Sequence, residues 1–222
     1  MRRRPTAELL DSDSGTAEEV RASLRDLESL NRHLGGVTTT RELIRTVAAR
    51  TEKTTLSMLD VAAGNGLVPS VAADRLRPVG ITVRTTLLDR APTHLPSNGA
   101  SPKVVAEALK LPFADFSFDL VSSTLFLHHL SPDEVVEFAR ESLRVSRMAV
   151  LVNDLIRHWL HLALAYAGRP LYRSRITRHD APASVRQAYT AGEMRELLLQ
   201  GGASKVTGHT HYLFRMGLVA WK

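Results

Sequence analysis

Apolar positions follow two different periods along the chain. Between Thr16 and Arg50 they recur every three to four residues, and beyond Leu56 they gather into short runs separated by helical segments. In the first region Val20, Leu24, Leu27, Leu30 and Leu34 form one stripe that stops at Gly35-Gly36, which predicts an amphipathic helix. Thr39-x-x-Glu42 has the spacing of a capping box and predicts a second helix running to about Arg50.

The second region reads as strands alternating with helices. Leu56–Val61, Ile81–Leu88, Lys103–Ala106, Phe118–Ser123 and Met148–Asn153 are predicted strands, and Leu67–Leu76 is a predicted helix. Ser131-Pro132-Asp133-Glu134 announces another helix, with a cap, a proline at the first helical position and a box carboxylate. Thr190-Ala191-Gly192-Glu193 opens a further one, and 204–210 with 213–221 reads as a terminal hairpin. Such alternation predicts an α/β doubly wound domain, its parallel sheet flanked by helices on both faces. Residues 1–15 lack periodicity and are expected to be a mobile tail; 16–53 are N-terminal helices, and 54–222 form the main domain with an insertion at 155–190.

Composition narrows the chemistry. The 222 residues include no cysteine, which excludes disulfides, zinc–thiolate sites and thiolate nucleophiles. Arg2–Arg4 are not followed by an apolar stretch of signal-peptide type, and the run from Trp159 to Ala167 is far short of the ~20 residues a membrane span needs. A cytoplasmic location without integral membrane association is expected. The net charge of +6 is compatible with an anionic partner, and six arginines against Asp154 and Asp180 between Leu151 and Thr190 concentrate it.

Leu59-Asp60-Val61-Ala62-Ala63-Gly64-Asn65-Gly66 is a strand ending in a carboxylate and a glycine turn that enters a helix. Glycines there allow close backbone approach to a ligand, and the helix start points donors into the crevice. Pro69 stands where a dinucleotide fingerprint needs a small residue, and Asp60 would oppose a pyrophosphate while suiting an ammonium or sulfonium.

These residues resemble the first motif of the class I S-adenosylmethionine-dependent methyltransferases, small-molecule UbiE-like (type 11) branch, with Ala62 where that motif's first glycine usually stands. The similarity covers about Leu56 to Lys222. It implies a Rossmann-like, mostly parallel seven-stranded sheet with an antiparallel C-terminal hairpin, and S-adenosylmethionine as cofactor, leaving S-adenosylhomocysteine. It further implies that Asp89, followed by Arg90 at the end of the second strand, accepts the ribose hydroxyls. Glu107-Ala108-Leu109 would read the adenine, and Ser123-Thr124 would border the methionine part.

His128 and His129 follow in the same crevice segment and are candidate bases for an acceptor hydroxyl, with helix capping or packing as the plainer role. The insertion lies at the ligand edge of the sheet and is expected to be a mobile lid, with Gly168, Pro170 and Pro182 limiting its rigid pieces. Arg157, His158, Trp159, Tyr166 and Arg186 are its candidate acceptor contacts, suited to an aromatic or lipid-like body with an acidic or phenolic group. His158 with His161, and His209 with His211, could each be half of a metal site, but no carboxylate cluster accompanies them and no metal is expected. The expected function is methylation of a small acceptor by a monomer or homodimer. An RNA methyltransferase is the rival, although no RNA-binding module or Asn/Asp-Pro-Pro-aromatic motif is present; a non-catalytic partner or membrane-surface protein is the other.

Overall fold

The computed structural model describes residues 1–12, 14–211 and 213–222. Its seven strands are β1 (Thr55–Val61), β2 (Thr82–Asp89), β3 (Lys103–Val105), β4 (Phe118–Thr124), β5 (Ser146–Leu155), β6 (Lys205–His211) and β7 (Arg215–Trp221). They form one sheet in the order β3-β2-β1-β4-β5-β7-β6, parallel except for β7, which runs antiparallel to both neighbours. The strand order reverses between β1 and β4. That opens a crevice at their carboxyl ends, the place where open α/β sheets bind ligands.

Period-two alternation divides the core between the two faces. Leu56 and Met58 pack with Ile44, Val47 and Leu76 of α2 (Gly36–Thr51) and α3 (Leu67–Leu76); Leu59 and Val61 pack with Phe138, Leu143 and Leu198 of α4 (Pro132–Val145) and α7 (Ala191–Gln200). To match these, the preceding helix is α1 (Ala17–His33) and the lid helices are α5 (Trp159–Ala167) and α6 (Arg175–Gln187). The capping boxes at Ser131 and Thr190 form as expected.

Three expectations change. The second helix starts at Gly36, capped by Gly35 at φ 84°, so Thr39 and Thr40 are buried inside it and Glu42 pairs with Arg41 and Arg45. The box spacing at Thr39 is unused because Gly35, with its left-handed freedom, turns the chain one helical turn earlier. Pro182 does not limit a rigid piece; it sits inside α6, and Arg169 Nε donates to Arg178 O (2.9 Å), the carbonyl that proline leaves without its helical donor. Residues 1–12 lie against the domain instead of free of it, while Asp13 of the same segment is outside the described residues.

Candidate functional site

The turn after β1 is built on left-handed backbone. Ala62, Gly64 and Gly66 have φ of 55°, 52° and 69°. Ala62 therefore occupies a conformation that costs a residue with a Cβ on the order of 1–2 kcal/mol, which explains why glycine suits the position. A Cβ on Gly66 would lie 2.6 Å from Leu87 Cδ1, so that glycine serves helix–strand packing. Around Gly64 the space is open.

Asp89 ties this turn to β2. Its Oδ2 accepts from Gly64 N (2.9 Å) and its Oδ1 from Ala91 N (2.9 Å). Asn65 donates to Glu28 Oε1 on α1 and accepts from Leu67 N, linking the turn to the helix above. Asp60 is buried at the end of β1 with Oδ1 unpartnered. Burial pushes its pKa up to about 7; the Ser122 hydroxyl works against this and the Asp89 charge adds to it. Ser123 Oγ and Thr124 Oγ1 are also buried without partners at the end of β4.

A cavity of ≈ 650 Å³ opens at this edge. Asp60, Ala62, Gly64, Asn65, Asp89, Arg90, Glu107, Ala108, Leu109 and Thr124 line it, as do His128 and His129; Gly66 and Ser123 lie behind the wall. Its roof comes largely from elements the sequence did not assign to the site. Leu24, Leu27, Leu30 and Leu34, the stripe of α1, face the cavity rather than the sheet core. The N-terminal segment closes the far side. Arg3 donates to the carbonyls of His128 (3.0 Å), Leu130 (2.8 Å) and Gln187 and stacks over Tyr189, while Leu9 N and Leu10 N bond the Asp180 carboxylate.

The insertion does roof the cavity, but not through the residues singled out for contact with an acceptor. Arg157 is buried with its guanidinium on Met1 O, Ala188 O and Glu193, so it ties the lid to α7 and the N-terminal segment. Trp159 is 66% exposed. Tyr166 and Arg186 bond each other on the outer surface, and His158 caps α5 at Leu160 N and stacks on Phe214. None of these five lines the cavity; His161, Leu164, Tyr172 and Thr177 do so in their place. Besides Arg90 at the β2 end, the arginine that reaches the wall is Arg215, buried on β7 and bonded to Asn153 Oδ1 (3.0 Å) and Leu34 O (3.2 Å). Burial lowers its pKa to about 10, with Asp154 opposing, and it stays charged at neutral pH. Strand position alone could have flagged Arg215, the first residue of an otherwise apolar β7.

His128 is buried, with Nδ1 2.6 Å from Asp154 Oδ1 and its backbone N–H donating to Asp154 Oδ2 (3.1 Å). Burial, the largest influence, opposes a charge on the ring, yet Asp154 and Glu8 outweigh it and raise the pKa to about 10. A ring already protonated at neutral pH does not take another proton, so His128 does not meet the requirement for a base in this state. His129 is more open and turns Nδ1 to Asp11 Oδ2 (2.9 Å).

Residues 59–149 match the methyltransferase domain family model. The matched segment, from the end of β1 to β5, resembles a methyltransferase domain and takes in less than half of the 222 residues. Among solved structures it is similar to the plantazolicin methyltransferase BpumL in complex with a pentazolic desmethylPZN analog and SAH (TM-score 0.69, 13% identity, 97% of this chain and 95% of that one). It is also similar to magnesium protoporphyrin IX methyltransferase from Synechocystis PCC 6803 with bound SAH (TM-score 0.54, 15% identity, 85% and 83%). A Nostoc punctiforme PCC 73102 protein assigned as an O-methyltransferase matches at TM-score 0.54 and 14% identity over 88% of this chain. The chain spans 60% of that protein's length and 64% of an Anabaena variabilis methyltransferase assigned to antibiotic biosynthesis. At these identities the likeness is one of fold. No curated protein matches this chain.

Proposed function

We propose that this protein transfers the methyl group of S-adenosylmethionine to a small, largely apolar or aromatic acceptor held beneath α1 and the lid. The observation that carries this reading is one cavity with two chemically different halves. At the strand ends it offers buried polar atoms, two of them unpartnered (Asp60 Oδ1 and Thr124 Oγ1), around an open glycine turn. Under the roof it offers leucines, Tyr172 and Phe214.

The polar half fits the cofactor. Asp60 would face its ammonium, Asp89 its ribose hydroxyls and Glu107–Leu109 its adenine, and the bound cofactor supplies an electrophilic methyl on sulfur. The chain's own work is positioning and exclusion of water. The leucine stripe orients the acceptor for in-line approach at near-attack distance, and the N-terminal segment with α6 closes the cavity against solvent. Arg215 favours an acceptor with a carboxylate or phenolate end. Where the acceptor arrives protonated, His129 Nε2 is the open base, its ring oriented by Asp11. The enclosed, leucine-walled roof favours a small acceptor over RNA, whose phosphates call for an exposed cationic track.

Calorimetry with S-adenosylhomocysteine, followed by product formation across phenolic, lipidic and azole-containing acceptors beside total RNA, tests the reading. Saturable binding plus turnover of a small acceptor is expected. Faster methylation of RNA than of every small compound would overturn the acceptor assignment, and absence of binding would overturn the cofactor assignment.

A further inference from the structure

Glu8, His128 and His129 are far apart in sequence, yet each brings one ligand-type atom to within 4.8 Å of the others at the acceptor side of the cavity. The two imidazoles are oriented in the same way. His128 Nδ1 faces Asp154 Oδ1 at 2.6 Å and His129 Nδ1 faces Asp11 Oδ2 at 2.9 Å, so a carboxylate holds the same nitrogen of each ring. Both Nε2 atoms consequently turn to Glu8, at 3.6 Å from Oε1 and 4.0 Å from Oε2 respectively. Ser184 Oγ (2.6 Å) and Gln187 Nε2 (2.7 Å) donate to Glu8 Oε1, which orients that carboxylate and leaves Oε2 for another partner.

We propose that Glu8, His128 and His129 bind a divalent transition-metal ion of the zinc, manganese or iron(II) kind, with its remaining positions open to the cavity. Two histidines and one carboxylate are a donor set suited to such ions, and carboxylates behind the imidazoles fix the tautomer and ring angle. Ligands about 2.1 Å from a common ion stand about 3.0–3.4 Å apart, so the three donor atoms, now within 4.8 Å of one another, close in on an ion by side-chain adjustment. Charge points the same way. The carboxylates of Glu8, Asp11 and Asp154 converge on the two rings, and a dication bound there would take the place of the proton on His128. An ion on both Nε2 atoms would displace the base role of His129 and present itself to an oxygen of the acceptor instead. Among the described residues neither other histidine pair gathers a third donor: His158 and His161 are bonded to Leu160 N and Ile156 O, and His209 and His211 stack on each other.

The test uses the full chain stripped with a chelator, titrated with Co²⁺ and separately with Zn²⁺, and assayed for retained metal after desalting and for the visible cobalt spectrum. One ion per chain is expected. Glu8→Gln and His129→Ala should each weaken binding by at least ~10–100-fold, while His211→Ala leaves it unchanged. Calorimetry with S-adenosylhomocysteine on every variant reports the cofactor site and the fold independently of the metal. A chain that binds S-adenosylhomocysteine but retains no ion overturns the metal site alone. So does retention that survives Glu8→Gln and His129→Ala, or that disappears with His211→Ala.

Discussion

The cofactor half and the acceptor half of the cavity are assembled by opposite means. The cofactor half comes from strand ends and the turns directly after them, where Asp60, Gly64 and Asp89 are placed by β1 and β2 pairing in register. The acceptor half is assembled from pieces remote in sequence: residues 1–12, the face of α1, the lid and the start of β7. Local geometry constrains the first. In the second, tertiary contact decides which residues meet, so a side chain can be aromatic and close in sequence to the site, as Trp159 is, and still face solvent.

Substitutions can sharpen this contrast. The largest effect should follow Asp89→Ala, which removes the acceptor for Gly64 N and Ala91 N and the proposed ribose partner. Losing hydrogen bonds to a charged group costs about 1.5–3 kcal/mol, so S-adenosylhomocysteine affinity should fall by at least about tenfold. An unchanged dissociation constant would break the assignment of this half. Arg157→Ala should come next and act on stability: a buried guanidinium bonded to two carbonyls and Glu193 is worth about 1.5–3 kcal/mol. Thermal denaturation should show the loss, and a raised acceptor KM at unchanged melting temperature would restore Arg157 to the acceptor site.

Leu27→Ala tests the roof. It should raise acceptor KM several-fold while cofactor affinity holds, whereas Trp159→Ala should alter neither; equal effects from the two would erase the distinction between roof and outer surface.

The pH response separates the halves by charge. Asp60 holds its proton up to about pH 7 in the folded protein, against roughly 4 in an unfolded chain. Its raised pKa favours the folded state below the unfolded value, and that contribution is lost as pH rises from about 4 to 7. A cation bound beside it reverses this by drawing the carboxyl to its charged form. Cofactor binding near pH 6 should therefore release a proton, seen as a dependence of calorimetric heat on buffer ionisation enthalpy, and Asp60→Asn should abolish the release. The smallest effect is expected from Ala62→Gly. Relief of left-handed strain, offset by glycine's greater freedom when unfolded, should change stability by about 1 kcal/mol or less, without altering acceptor use.

Much of the frame was legible in the sequence. Strand and helix order, the boxes at Ser131 and Thr190, and the glycine turn after β1 rest on interactions within a few residues, where spacing determines geometry. Even the stripe of α1 was readable, although not what it faces: periodicity shows that a helix has an apolar side and says nothing of whether sheet or cavity lies opposite. The placing of Glu8 and Asp11 beside His128 and His129 had no local signal at all, because a polar segment without periodicity looks mobile until partners remote in sequence, here Gln187, Asp180 and the carbonyls of His128 and Leu130, hold it. Sequence thus determined the sheet and the polar half of the cavity. Tertiary packing alone decided the roof, the replacement of Arg157 by Arg215 as a cation at the wall, and the carboxylate pairing that sets the two histidines, since each depends on contacts between segments that no spacing along the chain connects.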